Sequence, residues 1–355
     1  MFKKRFDNIH HREIFLNLFH QKTFLFGFFL LFFLLAVFLI IYFIFPLFNI
    51  ELVCGDGTSY SECSNSMPYY CSEGKLVEMA SVCGCSENLT LQGEACVSQY
   101  ATRPRDIVLN YTLRGEKGEI DFEIYEGITS YVSKLPRSLS VINGFEPSRA
   151  DFKFQKIEEE QQMNLLLPLV AKIQNLDVSE RDKLRIAVSL VQEIEFGVSD
   201  KIVNIAGTQL DYSRYPYEVF LDLQGVCGEK SELLVFILRE MGYGVGFFYY
   251  PTENHEAVAV KCPKLHSVGW TGYCLIETTG PSIITDKGIE YVNVGKLKSK
   301  PEVIVISEGK SMGRFWYEYF DAWNFNRLRK GFAIFKERGI QKLEEKYGLV
   351  DVYNP

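Results

Sequence analysis

A long uncharged stretch near the N-terminus constrains this 355-residue chain more than any other feature. No residue from Thr23 to Ile50 is charged, and most of the stretch is Phe, Leu, Ile and Val. A bilayer core is about 30 Å thick, and roughly 20 such residues cross it as a helix, because a helix satisfies its own backbone hydrogen bonds. The sequence therefore predicts a transmembrane helix over residues 23–50, with the lipid bilayer as its partner.

The charges on either side of this stretch predict its orientation. Its N-terminal side is basic, whereas Glu51 and Asp56 follow it. By the positive-inside rule, residues 1–22 lie in the cytoplasm and everything after residue 50 lies outside. We therefore expect a single-pass protein of the cell membrane with an extracytoplasmic C-terminal domain. The basic residues are Lys3, Lys4, Arg5, Arg12 and Lys22.

Cysteine usage supports the same side of the membrane. Residues 51–97 are rich in Gly, Ser and Glu and hold six of the nine cysteines, a density typical of disulfide-bonded extracellular modules. The spacing leaves their pairing open. It lacks a pair of Cys-x-x-Cys motifs, and His is absent, so no metal site is predicted. The six are Cys54, Cys63, Cys71, Cys83, Cys85 and Cys96.

Composition narrows the class of protein. The chain is 47% hydrophobic and 23% charged, which is typical of a globular protein with a sizeable core. Its net charge of −7 gives no reason to expect nucleic acid as a partner. No motif for a cofactor is present, and none is predicted.

Secondary-structure signals precede the most informative segment. Residues 106–114 and 119–125 alternate apolar and polar around Gly115-Glu116-Lys117-Gly118, which predicts a β-hairpin within a small β-rich subdomain at 98–150. Residues 153–173 and 179–196 show helical periodicity, with Ser179 as an N-terminal start.

The segment Gly225-Val226-Cys227-Gly228-Glu229-Lys230-Ser231 precedes an apolar run at helical spacing. Cys227 is therefore expected at the N-terminus of a core-packed helix, where the helix dipole and unpaired N–H groups favour an anion. A free thiol is mostly protonated at neutral pH, and only the thiolate attacks an acyl carbon, so this position suits a nucleophile. The apolar run is Leu233, Leu234, Ile237, Leu238 and Met241.

Two strands that follow supply a base and a carboxylate. Val245 to Tyr250 is predicted to be a strand, His255 begins the next one, and Cys274 to Thr278 forms another that carries Glu277. A helix-borne thiol followed by antiparallel strands with a histidine and a carboxylate suits a Cys-His-carboxylate triad.

These residues resemble the core of the transglutaminase-like superfamily, whose fold is similar to that of papain-type cysteine proteases. The resemblance covers roughly residues 155–300 and includes the lead-in Tyr215-Pro216-Tyr217-Glu218-Val219-Phe220. It implies Cys227 as nucleophile, His255 as general base and acid, and Glu277 as the third residue, where most members carry Asp. By analogy with the side-chain amide of papain-like enzymes, Gln224 is a candidate oxyanion donor. The superfamily includes proteases, cross-linking acyltransferases, glycan-releasing amidases and inactive binding modules.

Cys262 and Cys274 are predicted to form a disulfide between the His255 and Glu277 strands, which leaves Cys227 unpaired. Alternation places His255 and Glu277 on the face away from that disulfide. A plain ladder with Cys262 opposite Cys274, however, puts Ala259 opposite Glu277. We therefore expect either a bulge or cysteines that lie beyond the regular strands.

The predicted architecture is α+β, with a helix-borne cysteine packed on an antiparallel sheet. The expected function is that of a membrane-anchored thiol hydrolase acting on a protein or peptide substrate through a thioester. Peptidase or amidase activity is favoured over cross-linking, because no calcium-site pattern is apparent; the alternative is an inactive ectodomain that binds peptide or cell-surface polymer. The predicted divisions are 1–22, 23–50, 51–97, 98–150, a catalytic domain at 151–300 and an aromatic-rich helical extension at 301–355.

Overall fold

The chain divides into two compact units, residues 1–52 and 53–355. In the first unit, residues 30–38 are helical and form α1. The rest of the predicted transmembrane segment 23–50 lies outside the described residues, and no helix that the structure describes is long and apolar enough to cross a membrane. The computed structural model describes residues 30–38, 53–137, 148–205, 208–287, 290–291, 294–331 and 336–349.

The second unit is α+β, as predicted. Its helices are α2 (Ala80–Cys83), α3 (Thr129–Val132), α4 (Arg149–Ile157), α5 (Glu160–Gln174), α6 (Glu180–Glu193), α7 (Pro216–Asp222), α8 (Cys227–Glu240), α9 (Tyr317–Arg329) and α10 (Lys336–Tyr347). Its strands are β1 (Tyr69–Ser72), β2 (Lys75–Glu78), β3 (Leu89–Gln92), β4 (Ala95–Ser98), β5 (Pro104–Leu113), β6 (Glu116–Tyr125), β7 (Glu195–Phe196), β8 (Ile202–Ile205), β9 (Thr208–Asp211), β10 (Gln224–Gly225), β11 (Val245–Tyr250), β12 (His255–Lys261), β13 (Tyr273–Ile276), β14 (Glu290–Tyr291), β15 (Gly295–Lys296) and β16 (Glu302–Ser307).

A four-stranded antiparallel sheet forms the centre of this unit, in the order β13-β12-β11-β16. The strand predicted over Val245–Tyr250 has those bounds in the structure. The outer strand β16 comes from the segment 301–355, so residues assigned by sequence to the extension complete the sheet.

Helix α8 packs on one face of the sheet. Its apolar side chains, including Leu234 and Phe236, share the main core with Val258 and Val260 of β12. The helix ends before Gly242, whose φ of +84° suits a residue without a Cβ. Burying this continuous apolar surface holds the first turn of α8 at the end of the sheet.

Three disulfides staple the cysteine-rich segment. They join Cys54 to Cys71, Cys63 to Cys83 and Cys85 to Cys96. The segment is also docked on α5, because Asn175 accepts from Leu76 N and donates to Leu76 O, each at 2.8 Å.

The hairpin of β5 and β6 is confirmed, but its turn is tighter than predicted. Leu113 pairs with Glu116, so the turn consists of Arg114 and Gly115, both with positive φ (56° and 90°). This geometry fits a two-residue type I′ turn, which matches the twist of the flanking strands. Residues 116–118 therefore belong to β6 and not to the turn.

The helical runs are divided differently from the periodicity. The run predicted over 153–173 is two helices, α4 and α5, because the Glu159 side chain accepts from Gln161 N and Gln162 N and starts a new helix. Ser179 does cap α6, since its side chain accepts from Asp182 N. That helix ends at Glu193, and Glu195–Phe196 instead pairs in parallel with Gln224–Gly225.

The C-terminal helices α9 and α10 pack against each other. Trp316 and Tyr319 reach the main core, while Phe325 and Leu328 are buried with Leu343 of α10. The segment 301–355, predicted as a helical extension, thus contains strand β16 followed by two helices that pack on each other.

Candidate active site

Cys227 is the first residue of α8. All nine cysteines lie in the described part of the chain, and Cys227 alone forms no disulfide. Its thiol is partly exposed. Its N–H belongs to the first turn, where the helix itself offers no acceptor, so it is available to an incoming oxyanion.

His255 and Glu277 meet at the end of the sheet that faces this turn. His255 Nε2 donates to Glu277 Oε2 at 2.8 Å, and both side chains are almost completely buried. Cys227 also contributes to the pKa of this imidazole, so the thiol is close enough to interact with it. The structure therefore brings the three predicted residues together in the order thiol, imidazole, carboxylate.

The extra methylene of Glu277 is absorbed by a local turn. Its Oε1 accepts from Thr278 N at 2.9 Å and from Thr279 N at 3.0 Å, so the side chain folds back over its own backbone. Oε2 is left to face His255. A glutamate thus reaches the imidazole from a position where the resemblance leads us to expect an aspartate.

The Cys262–Cys274 disulfide and the contact between His255 and Glu277 are compatible, because both join residues that are diagonal, not directly opposite, in the register of β12 and β13. Val258 pairs with Ile276, and extending that register places Glu277 opposite Ala257, two residues from His255 on the same face. Cys274 lies opposite Val260, and Cys262 follows the last residue of β12. The cysteines still bond, with Cα atoms 5.8 Å apart. No bulge is needed between β12 and β13, because both pairs are offset by two residues.

The electrostatics favour a charged imidazole. Burial lowers the pKa of His255, but hydrogen bonds to Cys227 and Glu277, together with their charges, outweigh burial and raise it to about 10. A charged imidazole is the kind of neighbour found beside reactive cysteines in general.

Gln224 lies on β10, just before the nucleophile. Its Oε1 accepts from Arg214 Nη2 at 2.9 Å, so the amide orientation is held by a buried guanidinium. The same Arg214 donates to Asp222 and Glu229, and Glu229 Oε2 accepts from Val226 N at 3.0 Å. Arg214 therefore organises the loop that precedes Cys227, a role that the sequence analysis missed.

A second group that the sequence analysis missed lies on the other side of α8. Lys153 Nζ bonds to Glu232 Oε1 at 2.6 Å and to Glu256 Oε2 at 2.5 Å, and Arg149 bonds to Glu256 Oε1 at 3.0 Å. A Cβ on Gly228 would lie 2.7 Å from Glu256 Oε2, so this network also explains the glycine after the nucleophile.

Two buried side chains, Lys230 and Gln192, donate hydrogen bonds to backbone carbonyl groups. Lys230 is completely buried, and its Nζ donates to Ile194 O at 2.5 Å. Gln192 Nε2 donates to Glu277 O at 2.7 Å. A charged residue in the first turns of a helix that packs in the core predicts a nearby hydrogen-bond partner, because burying a charge without one is costly.

Metal binding has no candidate in this part of the chain. Across the described residues, no group of three or more His, Cys, Asp or Glu side chains is arranged to hold a metal ion.

Comparison with known proteins finds only weak structural similarity. No protein-family model matches the chain, and no curated protein matches it. A structure of Legionella pneumophila LapG is 14% identical with a TM-score of 0.22; the match covers 38% of this chain and 66% of that one, just under two thirds. A calcium-bound structure of LapG is 12% identical with a TM-score of 0.24, covering 49% of this chain and 97% of that one. Similarity at this level does not establish a shared fold or activity.

Proposed function

We propose that this protein is a transglutaminase-like thiol hydrolase that cleaves amide bonds through a thioester, with peptides or proteins as substrates. The observation that carries the proposal is the set of Cys227, His255 and Glu277, in which one unpaired thiol interacts with a buried, carboxylate-bound imidazole. A buried ion pair of this kind is costly to maintain without a purpose, and perturbed titration is concentrated at functional sites.

The chemistry follows from the positions of the three groups. The Cys227 thiolate attacks the amide carbon, and the resulting oxyanion accepts from the Cys227 N–H at the start of α8. Imidazolium His255 gives its proton to the departing amine, the carbon–nitrogen bond breaks, and a thioester remains. Neutral His255 then removes a proton from water, which attacks the thioester, releases the acid and restores the thiol pair. Glu277 orients the imidazole throughout.

Gln224 is proposed as a second oxyanion donor. Its Oε1 is occupied by Arg214, so its Nε2 is the group available to donate. Replacement of Gln224 by Ala is expected to lower kcat more than it raises KM, because an oxyanion donor acts in the transition state.

The location proposed is the outer face of a cell membrane, with residues 23–50 as the anchor. Four disulfides in the second unit support an oxidising compartment, since such bonds are rare in the cytosol. Reconstitution of the full chain in sealed vesicles, followed by protease treatment from outside, tests the orientation. Protection of residues 53–355 in right-side-out vesicles would contradict it.

The activity is tested by alkylation of Cys227 across pH in the full chain with disulfides intact. Because Cys227 is the unpaired cysteine, the label reports on it alone. We expect rapid labelling well below the pH at which a free thiol reacts, lost in His255→Ala and retained in the matched control His266→Ala. Slow labelling that is unchanged by His255→Ala would favour an inactive ectodomain that binds peptide or cell-surface polymer.

The acceptor is tested separately. Single-turnover cleavage of an amide substrate with and without added lysine amine distinguishes water from amine as acceptor. We expect the free acid as product in both cases. A cross-linked amide as the main product would identify an acyltransferase.

A further inference from the structure

An open cavity of about 310 Å³ lies between the loop around His266, residues 285–287 and helix α9. It is formed by residues other than Cys227, His255 and Glu277. The charged side chains among its lining residues are Lys287, Arg327 and Lys330, and none of the lining residues is acidic. A cavity of this size and charge suits a small anionic group.

The basic groups of the cavity are not neutralised by ion pairs. Within the described ranges, Arg327 and Lys330 take part in no salt bridge, and Lys287 Nζ donates only to the Ser267 carbonyl at 2.6 Å. The nearest acid in sequence, Asp286, is already bound to Arg329 at 2.6 Å. The cavity therefore presents uncompensated positive charge.

Aromatic and polar side chains line the same cavity. Tyr319 is one of them and is buried, with 6% of its surface exposed. The ring of His266 stacks on the Tyr319 ring with centroids 3.9 Å apart. Burial, with a contribution from Lys287, lowers the pKa of His266, so its imidazole is a neutral donor near neutral pH.

Exposed apolar side chains form the rim of the cavity. Leu265 is 75% exposed, Trp323 53% and Phe320 62%, and the rings of Phe320 and Trp323 lie 5.7 Å apart. Residues 320, 323 and 327 of α9 and its C-cap residue Lys330 follow helical spacing along one face, apolar at its start and basic at its end. The Arg327 guanidinium lies over the Trp323 ring, 4.6 Å from its centroid.

We propose that this cavity binds the phosphate of an anionic phospholipid headgroup, while Leu265, Phe320 and Trp323 rest in the bilayer interface. Tryptophan, phenylalanine and leucine beside lysine and arginine are the composition of interfacial membrane-binding surfaces. A soluble anion explains the basic cavity but not the apolar rim, whose exposure to water is unfavourable. The proposal is independent of the chemistry at Cys227.

The test uses the full chain in lipid nanodiscs whose acyl chains carry bromine, which quenches tryptophan fluorescence at short range. Discs of phosphatidylcholine alone are compared with discs that also contain phosphatidylglycerol. Subtracting the signal of Trp323→Phe isolates the quenching due to Trp323, because the two other tryptophans, Trp270 and Trp316, remain. The cavity variant is Arg327→Gln/Lys330→Gln, and the matched control, Lys75→Gln/Lys117→Gln, removes the same charge from exposed strand residues elsewhere.

We expect Trp323 to be quenched strongly only when phosphatidylglycerol is present. Each basic residue near an anionic surface strengthens binding roughly fivefold, so the cavity variant should weaken engagement on the order of thirtyfold. The control should behave like the unmodified chain.

Any of four outcomes would overturn the proposal. Absence of quenching attributable to Trp323 would show that this side chain does not enter the bilayer. Equal quenching in both kinds of disc, or equal quenching in the cavity variant, would show that the cavity does not recognise the anionic headgroup. The effect of inorganic phosphate on thermal stability is measured in phosphatidylcholine discs. Stabilisation that is lost in the cavity variant, without any effect of phosphatidylglycerol, would identify a site for free phosphate instead.

Discussion

Replacement of Glu277 by Gln tests how the carboxylate acts on Cys227. Three donors converge on it: Thr278 N and Thr279 N at 2.9 and 3.0 Å on Oε1, and His255 Nε2 at 2.8 Å on Oε2. A glutamine has the same shape but only one acceptor oxygen. Either the two backbone N–H groups or His255 must then face an NH₂ group, and the imidazolium loses its counter-charge.

The size of the effect follows from this geometry. Hydrogen bonds to charged groups contribute about 1.5–3 kcal/mol, and the burial of both side chains keeps solvent screening small. About 1.4 kcal/mol corresponds to one pH unit in a titration. The pH at which Cys227 is half reactive should therefore rise by about one to two units. At pH values below both midpoints, the alkylation rate should fall about ten- to hundredfold.

The assay is alkylation of the full chain by iodoacetamide from acidic to basic pH. Glu116→Gln serves as the control, since Glu116 is an exposed residue of the β5–β6 hairpin. Thermal unfolding of each variant shows that the fold is retained. A pH profile for Glu277→Gln that overlays the unmodified profile would refute the reasoning, because the carboxylate would then have no influence on the thiol.

Three further perturbations address the surroundings of the site. Gly228→Ala places a Cβ about 2.7 Å from the Glu256 carboxylate that Lys153 holds, and chemical denaturation should show a loss of about 1–3 kcal/mol; an unchanged midpoint would mean that the carboxylate moves freely. Burial lowers the pKa of Lys230 from 10.5 to about 7, so between those values the unfolded chain binds more protons and stability rises with pH. In Lys230→Met the free energy of unfolding should not rise over this pH range. The same pH dependence in the variant and the unmodified protein would contradict the assignment of that rise to Lys230. Cys262→Ser/Cys274→Ser opens a loop with a sequence separation of 12 and should lower the free energy of unfolding by about 3 kcal/mol in denaturant. The alkylation rate of Cys227 should be unchanged, because the disulfide and the triad lie at opposite ends of the strands. Loss of that reactivity would show that the disulfide sets the triad geometry.

Several elements could be predicted because short-range physics decides them. The bounds of β11 follow from an apolar run between Gly244 and Pro251. The start of α6 follows from a serine whose hydroxyl accepts from the third N–H of the helix. The β5–β6 hairpin follows from alternation around a glycine turn, although the two-residue turn depends on which residues tolerate a positive φ.

The candidate triad could also be predicted from the sequence. Its three residues lie at a helix start, at a strand start and immediately after a strand, so residue type and local pattern together predict them. Local pattern does not predict how Glu277 reaches His255, because its path depends on backbone N–H groups that the turn at Thr278 and Thr279 presents.

By itself, the sequence determined the α+β class, the unpaired Cys227 and the order of thiol, imidazole and carboxylate. Only the tertiary structure decided how the six cysteines of residues 51–97 pair and the diagonal register of β12 on β13, because both depend on which segments meet in the fold. The same is true of Lys153, whose Glu256 partner is more than one hundred residues away in sequence. Periodicity reports which side of an element is buried, whereas burial of a charge requires a particular partner, and that partner is known only when the chain has folded.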